Sequence, residues 1–227
     1  MLVALFRAVV ALSLPELRRI VGLSLGLAVA SFVVLWVAVG FALHTGARFA
    51  WWPLDWAVEV LGALAVLVVS WLLFPAVLTM VMGFFLDRVA GVVETRDYPG
   101  RGPPRHALLR ETVLMTLRLM GLTIIVNLLA LPVYLLAPGI NFFVFLGLNG
   151  YLFGREYFEV VALRRLDATA VRAWRARFAG RVFLGGAVIA GLFAVPLVNL
   201  IVPVLATAFM VHLVEGMRRA NPQHLVS

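Results

Sequence analysis

The run Ile20–Leu43, IVGLSLGLAVASFVVLWVAVGFAL, holds 24 residues and no charge. As an α-helix it is about 36 Å long, enough to cross the roughly 30 Å hydrocarbon core of a bilayer with some tilt. A second run, Val60–Leu86, holds 27 uncharged residues between Glu59 and Asp87. It reaches about 40 Å as a helix, and Pro75 within it predicts a kink. Two long transmembrane helices therefore fix the class: an all-α polytopic membrane protein.

Two further uncharged runs behave differently. Leu119–Gly154 has 36 residues and Val182–Val214 has 33, each interrupted by proline near its middle. Neither suits a single span, and each is slightly short of the roughly 40 apolar residues that two full spans plus a turn require. Both read as helical hairpins that enter the bilayer without fully crossing it, turning at Pro138-Gly139 and between Pro196 and Pro203. Six ordinary spans is the competing reading. The whole of 1–227 is expected to form one integral membrane domain.

Composition agrees. Of 227 residues 63% are hydrophobic and 13% charged, with a mean hydropathy of +1.04, against about 45–50% apolar and about 25% charged in soluble domains. The net charge of +8 comes from 19 arginines and no lysine. They gather at the ends of apolar runs rather than in one soluble module, which argues against nucleic acid and for the lipid bilayer as partner. The chain has no cysteine, which excludes disulfides, thiolate metal sites and cysteine nucleophiles. Met1–Leu12 is apolar apart from Arg7 and lacks a cleavable-signal pattern, so retention is expected.

Basic residues flanking spans favour the cytoplasm. Arg7, Arg18 and Arg19 precede the first span, Arg48 alone lies between the first two, and the remaining fifteen follow the second. Both termini are thus expected to be cytoplasmic, with residues 44–58 outside and Trp51, Trp52 and Trp56 as surface anchors. Thr95–His106, rich in Pro and Gly, reads as a cytoplasmic loop. Asp167–Arg181 reads as a surface amphipathic helix, with Val171, Trp174, Phe178 and Val182 on one face and arginines beside them.

The hairpin turns match at a constant offset of 58: Pro138-Gly139-Ile140-Asn141-Phe142-Phe143-Val144 against Pro196-Leu197-Val198-Asn199-Leu200-Ile201-Val202. Paired interrupted apolar segments point to a transport site, which makes Asn141 and Asn199 possible pore residues at equivalent positions. The plainer reading is two similar turns in which Asn caps a helix start. Arg155, Glu156 and Glu159 end an arm of the first hairpin, with Arg155 and Glu159 spaced to pair. They are candidate gate residues or a solvated helix end. Asn127, inside an apolar arm, is expected to bond a neighbouring helix. His44, His106, His212 and His224 show no metal-ligand spacing, and no nucleophile elbow, phosphate loop or dinucleotide fingerprint is present. No cofactor, metal or enzyme activity is expected.

Several segments together carry a family resemblance: Leu14-Pro15-Glu16-Leu17-Arg18-Arg19 opening the first span, the Pro138-Gly139-Ile140 turn, Asn149-Gly150-Tyr151 leading to Gly154-Arg155-Glu156-Tyr157-Phe158-Glu159, and Pro196-Leu197-Val198-Asn199-Leu200. Over nearly its whole length the chain resembles the CysZ-like sulfate permeases, a family that includes etoposide-induced-protein-like membrane proteins. The resemblance implies an oligomeric protein of the bacterial inner membrane, with two long spans and two partly inserted hairpins, that admits sulfate for cysteine synthesis. It also implies an anion site in the family's Pro-Gly-apolar-Arg-Arg segment, here Pro15 to Arg19, so that Leu17, Arg18 and Arg19 are the expected substrate-binding residues. Free N–H groups at a helix start and two guanidiniums suit a tetrahedral oxyanion. The sequence departs at Glu16, where the pattern has Gly. Ser13 and Glu16 have capping-box spacing, and the plainer role of Arg18 and Arg19 is a charge anchor for the first span. The function expected is a passive permease for sulfate or a related oxyanion. The alternative is a non-transporting scaffold or lipid-interacting protein of the same family.

Overall fold

The computed structural model describes residues 1–45, 52–105 and 109–220. Nine α-helices cover most of them: α1 Leu2–Ala11, α2 Pro15–Thr45, α3 Trp52–Gly83, α4 Leu86–Asp97, α5 Leu109–Leu136, α6 Asn141–Ala162, α7 Ala168–Arg177, α8 Ala179–Phe193 and α9 Val202–Arg219. No strand occurs among the described residues. The chain divides into two compact units, Arg18–Phe85 and Met1–Leu17 with Leu86–Ser227.

The Arg18–Phe85 unit consists of the body of α2 and all of α3. Both helices are apolar on every side and little of either is covered by protein. Such a surface is compatible with lipid rather than water as its solvent. The two helices meet through the rings of Phe32 and Phe74, 5.7 Å apart. The Trp36 indole also donates to the Ser70 hydroxyl at 2.7 Å, satisfying two polar groups that hydrocarbon cannot. Helix α3 continues through Pro75. It already begins at Trp52, so Trp52 and Trp56 fall in its opening turns rather than in a loop. Arg48 and Trp51 lie outside the described residues.

Helix α9 forms the centre of the other unit. Every residue from Val202 to Glu215 is buried, as is Met217, and α1, α4, α6 and α8 pack around it. Protein, rather than lipid, thus covers the apolar length of this helix. Helix α6 crosses α8 at very close range. A Cβ on Gly186 would fall into the Gly150 carbonyl and the Gly154 backbone, one on Gly154 would lie 2.5 Å from the Val182 oxygen, and one on Gly150 3.2 Å from Ala187. Small residues on both helices let the backbones approach.

Among the described residues, three helices are long and apolar enough to cross a membrane: Pro15–Ala42 of α2, Val60–Gly83 of α3 and Val113–Leu136 of α5; the bent pair α7 and α8 would make a fourth. The third differs from the expectation of a short hairpin arm. Pro132 does not end α5, which also starts ten residues before the charge-free run does. Membrane helices tolerate such a proline because neighbouring groups take up the freed carbonyl. Asp167–Arg181 is likewise not one helix: α7 ends at Arg177, and α8 leaves at 88°. The face expected to meet lipid is partly taken by protein, since Val171 and Trp174 are buried. Amphipathicity demands an apolar partner without saying which.

Candidate functional site

Pro15 opens α2, at the position where a missing N–H costs nothing and a fixed φ helps. This displaces the expected capping box: Ser13 lies in the turn between α1 and α2, its N–H bonded to the Val10 carbonyl at 3.0 Å. Leu17 is fully buried, whereas Arg18 and Arg19 are exposed. Neither arginine forms an ion pair with a described carboxylate. The first turn of α2 therefore carries two adjacent guanidiniums whose donors are open to an incoming anion. Glu16 does not close a cap. It lines a cleft of about 670 Å³ together with Asp87, Arg88, Arg96 and Arg164.

The polar end of the α9-centred unit is organised by ion pairs, most of them between residues far apart in the sequence. Glu94 of α4 accepts from Arg164 Nε at 3.2 Å and from Arg165 at 2.6 Å. Arg164 also reaches the Asp87 carboxylate and donates to the Asp87 carbonyl at 3.0 Å. Arg165 Nη1 donates to the carbonyls of Arg101, Gly102 and Pro103, at 3.2, 2.9 and 3.0 Å. The Pro-rich stretch after α4 is thus wrapped on a guanidinium, with Gly102 supplying the turn at φ +65. Glu215 of α9 pairs with Arg101 at 2.7 Å and Arg218 at 2.9 Å. His212 of α9 meets the hydroxyl of buried Tyr98 at 2.8 Å through Nδ1. Burial, opposed by the nearby Arg7 guanidinium, pushes the Tyr98 phenol up.

Among the expected gate residues, Arg155 and Glu159 do pair, at 2.9 Å, and Arg175 of α7 joins them at 3.1 Å. Glu159 is buried between the two guanidiniums, which braces α7 against α6. Glu156 has no cation beside it among the described residues; burial and then the nearby Glu159 push its carboxyl up. Asn141 is the first residue of α6, donates to the Tyr134 carbonyl at 3.2 Å and leaves its buried Oδ1 unpartnered. Asn199 instead sits within a 3-10 turn, Val198–Leu200, three residues before α9. The two asparagines share a sequence offset but not a place relative to the following helix, and neither caps one. Asn127 bonds back to Thr123 in its own helix at 2.8 Å, not to a neighbour.

A family model described as sulfate transporter CysZ/etoposide-induced protein 2.4 matches residues 4–203. The chain belongs to this family. No curated protein matches it. Membership makes it a sulfate-transporter-like membrane protein. The matched region takes in the head of α2, both proline turns and the glycine crossing. It ends just inside α9, before His212 and Glu215, whose partners across some hundred residues could not be read from local spacing. The signal that was available is the run of small residues: Gly150 and Gly154 face Gly186 with the four-residue spacing of close helix pairs.

Proposed function

We propose that this protein is a passive permease for sulfate or a related oxyanion, with Leu17, Arg18 and Arg19 at the substrate-binding head of α2. The exposed, unpaired Arg18-Arg19 pair carries this reading. Two guanidiniums beside free N–H groups of a helix start offer the charge-assisted donors a tetrahedral oxyanion takes. Leu17, buried, anchors the turn that presents them. Asn141, Asn199, Arg155, Glu156 and Glu159 are proposed as pore or gate residues, and a homo-oligomer in a bacterial inner membrane, supplying sulfate for cysteine synthesis, is the setting the family suggests. Purified protein in liposomes should admit radiolabelled sulfate down its gradient, and Arg18→Gln with Arg19→Gln should reduce the rate at least tenfold, about the loss of one charge-assisted contact. Uptake equal to that of empty liposomes overturns the permease reading.

Glu16 favours a second reading, a non-transporting scaffold or lipid-interacting protein. A carboxylate stands where the permease pattern has Gly, beside the approach of any anion. If the permease reading holds, Glu16→Gly raises sulfate flux by lifting that repulsion. If wild type and Glu16→Gly are equally silent, the arginine pair serves as a charge anchor and the scaffold reading stands.

A further inference from the structure

We infer that the cavity between α1, α8 and α9 is a binding site for the phosphate-bearing headgroup of an anionic phospholipid, held by Arg7, Arg181 and Arg219. The cavity measures about 560 Å³. A second hollow of about 450 Å³, sharing Arg7 and Arg219, adds Arg96 and Asp97. Four arginines therefore face a single carboxylate, Asp97, which already has Arg96 at 3.7 Å. Arg7, Arg181 and Arg219 form no ion pair with a described carboxylate. Such a surplus of positive charge at one place favours an anionic ligand.

The buried wall of the cavity supplies an independent observation. Tyr98, beside Arg7 in the cavity wall, places its hydroxyl 2.8 Å from His212 Nδ1. In the tautomer in which the hydroxyl donates to Nδ1, the ring proton of neutral His212 sits on Nε2. The His212 side chain is 1% exposed, and Nε2 has no hydrogen-bond partner, the closest carboxylate oxygen, of Asp97, lying at 3.6 Å. A buried N–H donor without an acceptor is costly. An anion seated against this wall, directly or through an ordered water, supplies the acceptor.

The apolar surroundings select a lipid over a free oxyanion. Val3, Leu184, Leu213 and Met217 line the same cavity. Helix α1 buries Ala8 and Ala11 but leaves Leu2 84% and Phe6 69% exposed, next to Arg7. An exposed apolar helix face with arginine at its edge is the arrangement of a helix lying in the membrane interface, chain-deep on one side and at headgroup level on the other. Inorganic phosphate or sulfate would find the cations there but would leave the apolar wall unused.

Binding of short-chain phosphatidylglycerol to the full-length protein in non-ionic detergent, followed by melting temperature and native mass spectrometry, tests this. The expected result is saturable binding at least tenfold tighter than for phosphatidylcholine of equal chain length or for inorganic phosphate. Arg181→Gln, which removes an exposed side chain with no described partner, should weaken phosphatidylglycerol about tenfold, the loss of one charge-assisted contact. Arg7→Gln with Arg219→Gln should weaken it further. Arg18→Gln with Arg19→Gln, aimed at the proposed oxyanion head of α2, should bind the lipid as wild type does, so the two sites fail or stand separately. Equal affinity for phosphatidylcholine reduces the cavity to an apolar groove, equal affinity for inorganic phosphate makes it a free-oxyanion site, and an unchanged Arg181→Gln removes the arginines from it. Each of these results overturns the inference.

Discussion

Gly186 shows how much of this structure hangs on a missing atom. Its Cα faces the Gly150 carbonyl and the Gly154 backbone, so there is no flexible side chain to move aside when a methyl group is added. Gly186→Ala must push α6 and α8 apart, and overpacking of this kind costs about 1–3 kcal/mol or more. Gly191, on the same helix, has open space where a Cβ would stand, with nothing within 4 Å. There the same change replaces a poor helix former with the best, a gain of up to about 1 kcal/mol. Melting of the two variants in detergent should therefore move in opposite directions, and a shared direction would show that propensity rather than close approach governs α8. The glycines stand plainly in the sequence, but which of the chain's 19 glycines are contacts depends on which helices cross. Arg155 and Glu159, by contrast, are a local pair, and their spacing alone foretold the bond at 2.9 Å.

Among the elements, α9 was the least legible. Its residues Val202–Val214 belong to an uncharged run that lipid or protein could equally cover, and only the packing of α1, α4, α6 and α8 decides for protein. The same holds for Glu215 and His212 near its end, which look like ordinary helix-end polar groups until Arg101 and Tyr98 are brought to them by the turn after α4. Helix α9 is not among the segments apolar and long enough to cross a membrane by themselves, and its buried His212 gives it a pH response. Burial holds the imidazole below its ordinary value of 6.5, an effect that Asp97 opposes and that Arg7 and Arg96 reinforce. A histidine lowered in the folded state binds its proton more readily when unfolded. Stability is thus fully present above about pH 6.5 and is lost as pH falls from there through the folded value. Wild type should melt at progressively lower temperature as pH drops from about 7 toward about 5, while His212→Gln, less stable at neutral pH, should show a flatter profile across that window. Parallel profiles would assign the acid sensitivity to other groups.

At the scale of the whole molecule, the long helices were legible and the number of crossings was not. Charge-free runs locate α2 and α3 because both begin and end near charges, but α5 extends beyond its run at one end, through Arg110, Glu111 and Arg118, and continues past Pro132 at the other. The segment Val113–Leu136 is about 36 Å long, sufficient to reach the far side of a bilayer. Helix α8, with 15 residues, is about 22 Å long and is not sufficient by itself. The two proline turns, so alike in sequence, should therefore lie at different depths: the turn after α5 at the outer surface and the turn after α8 within the bilayer. The differing backbones agree, since α6 starts at Asn141 while α9 starts three residues beyond Asn199, after a left-handed Leu197 at φ 66 that has no counterpart at Gly139. Because the chain contains no cysteine, single substitutions give a clean reading. With the termini cytoplasmic, as the arginine distribution suggests, Ile140→Cys should react in intact cells with a membrane-impermeant maleimide and Leu197→Cys should not until the membrane is opened. Labelling of both from outside would establish six full crossings, and protection of both would return α5 to a partly inserted arm. Labelling of Leu197→Cys alone would reverse the assignment of the two turns and with it the argument from helix length.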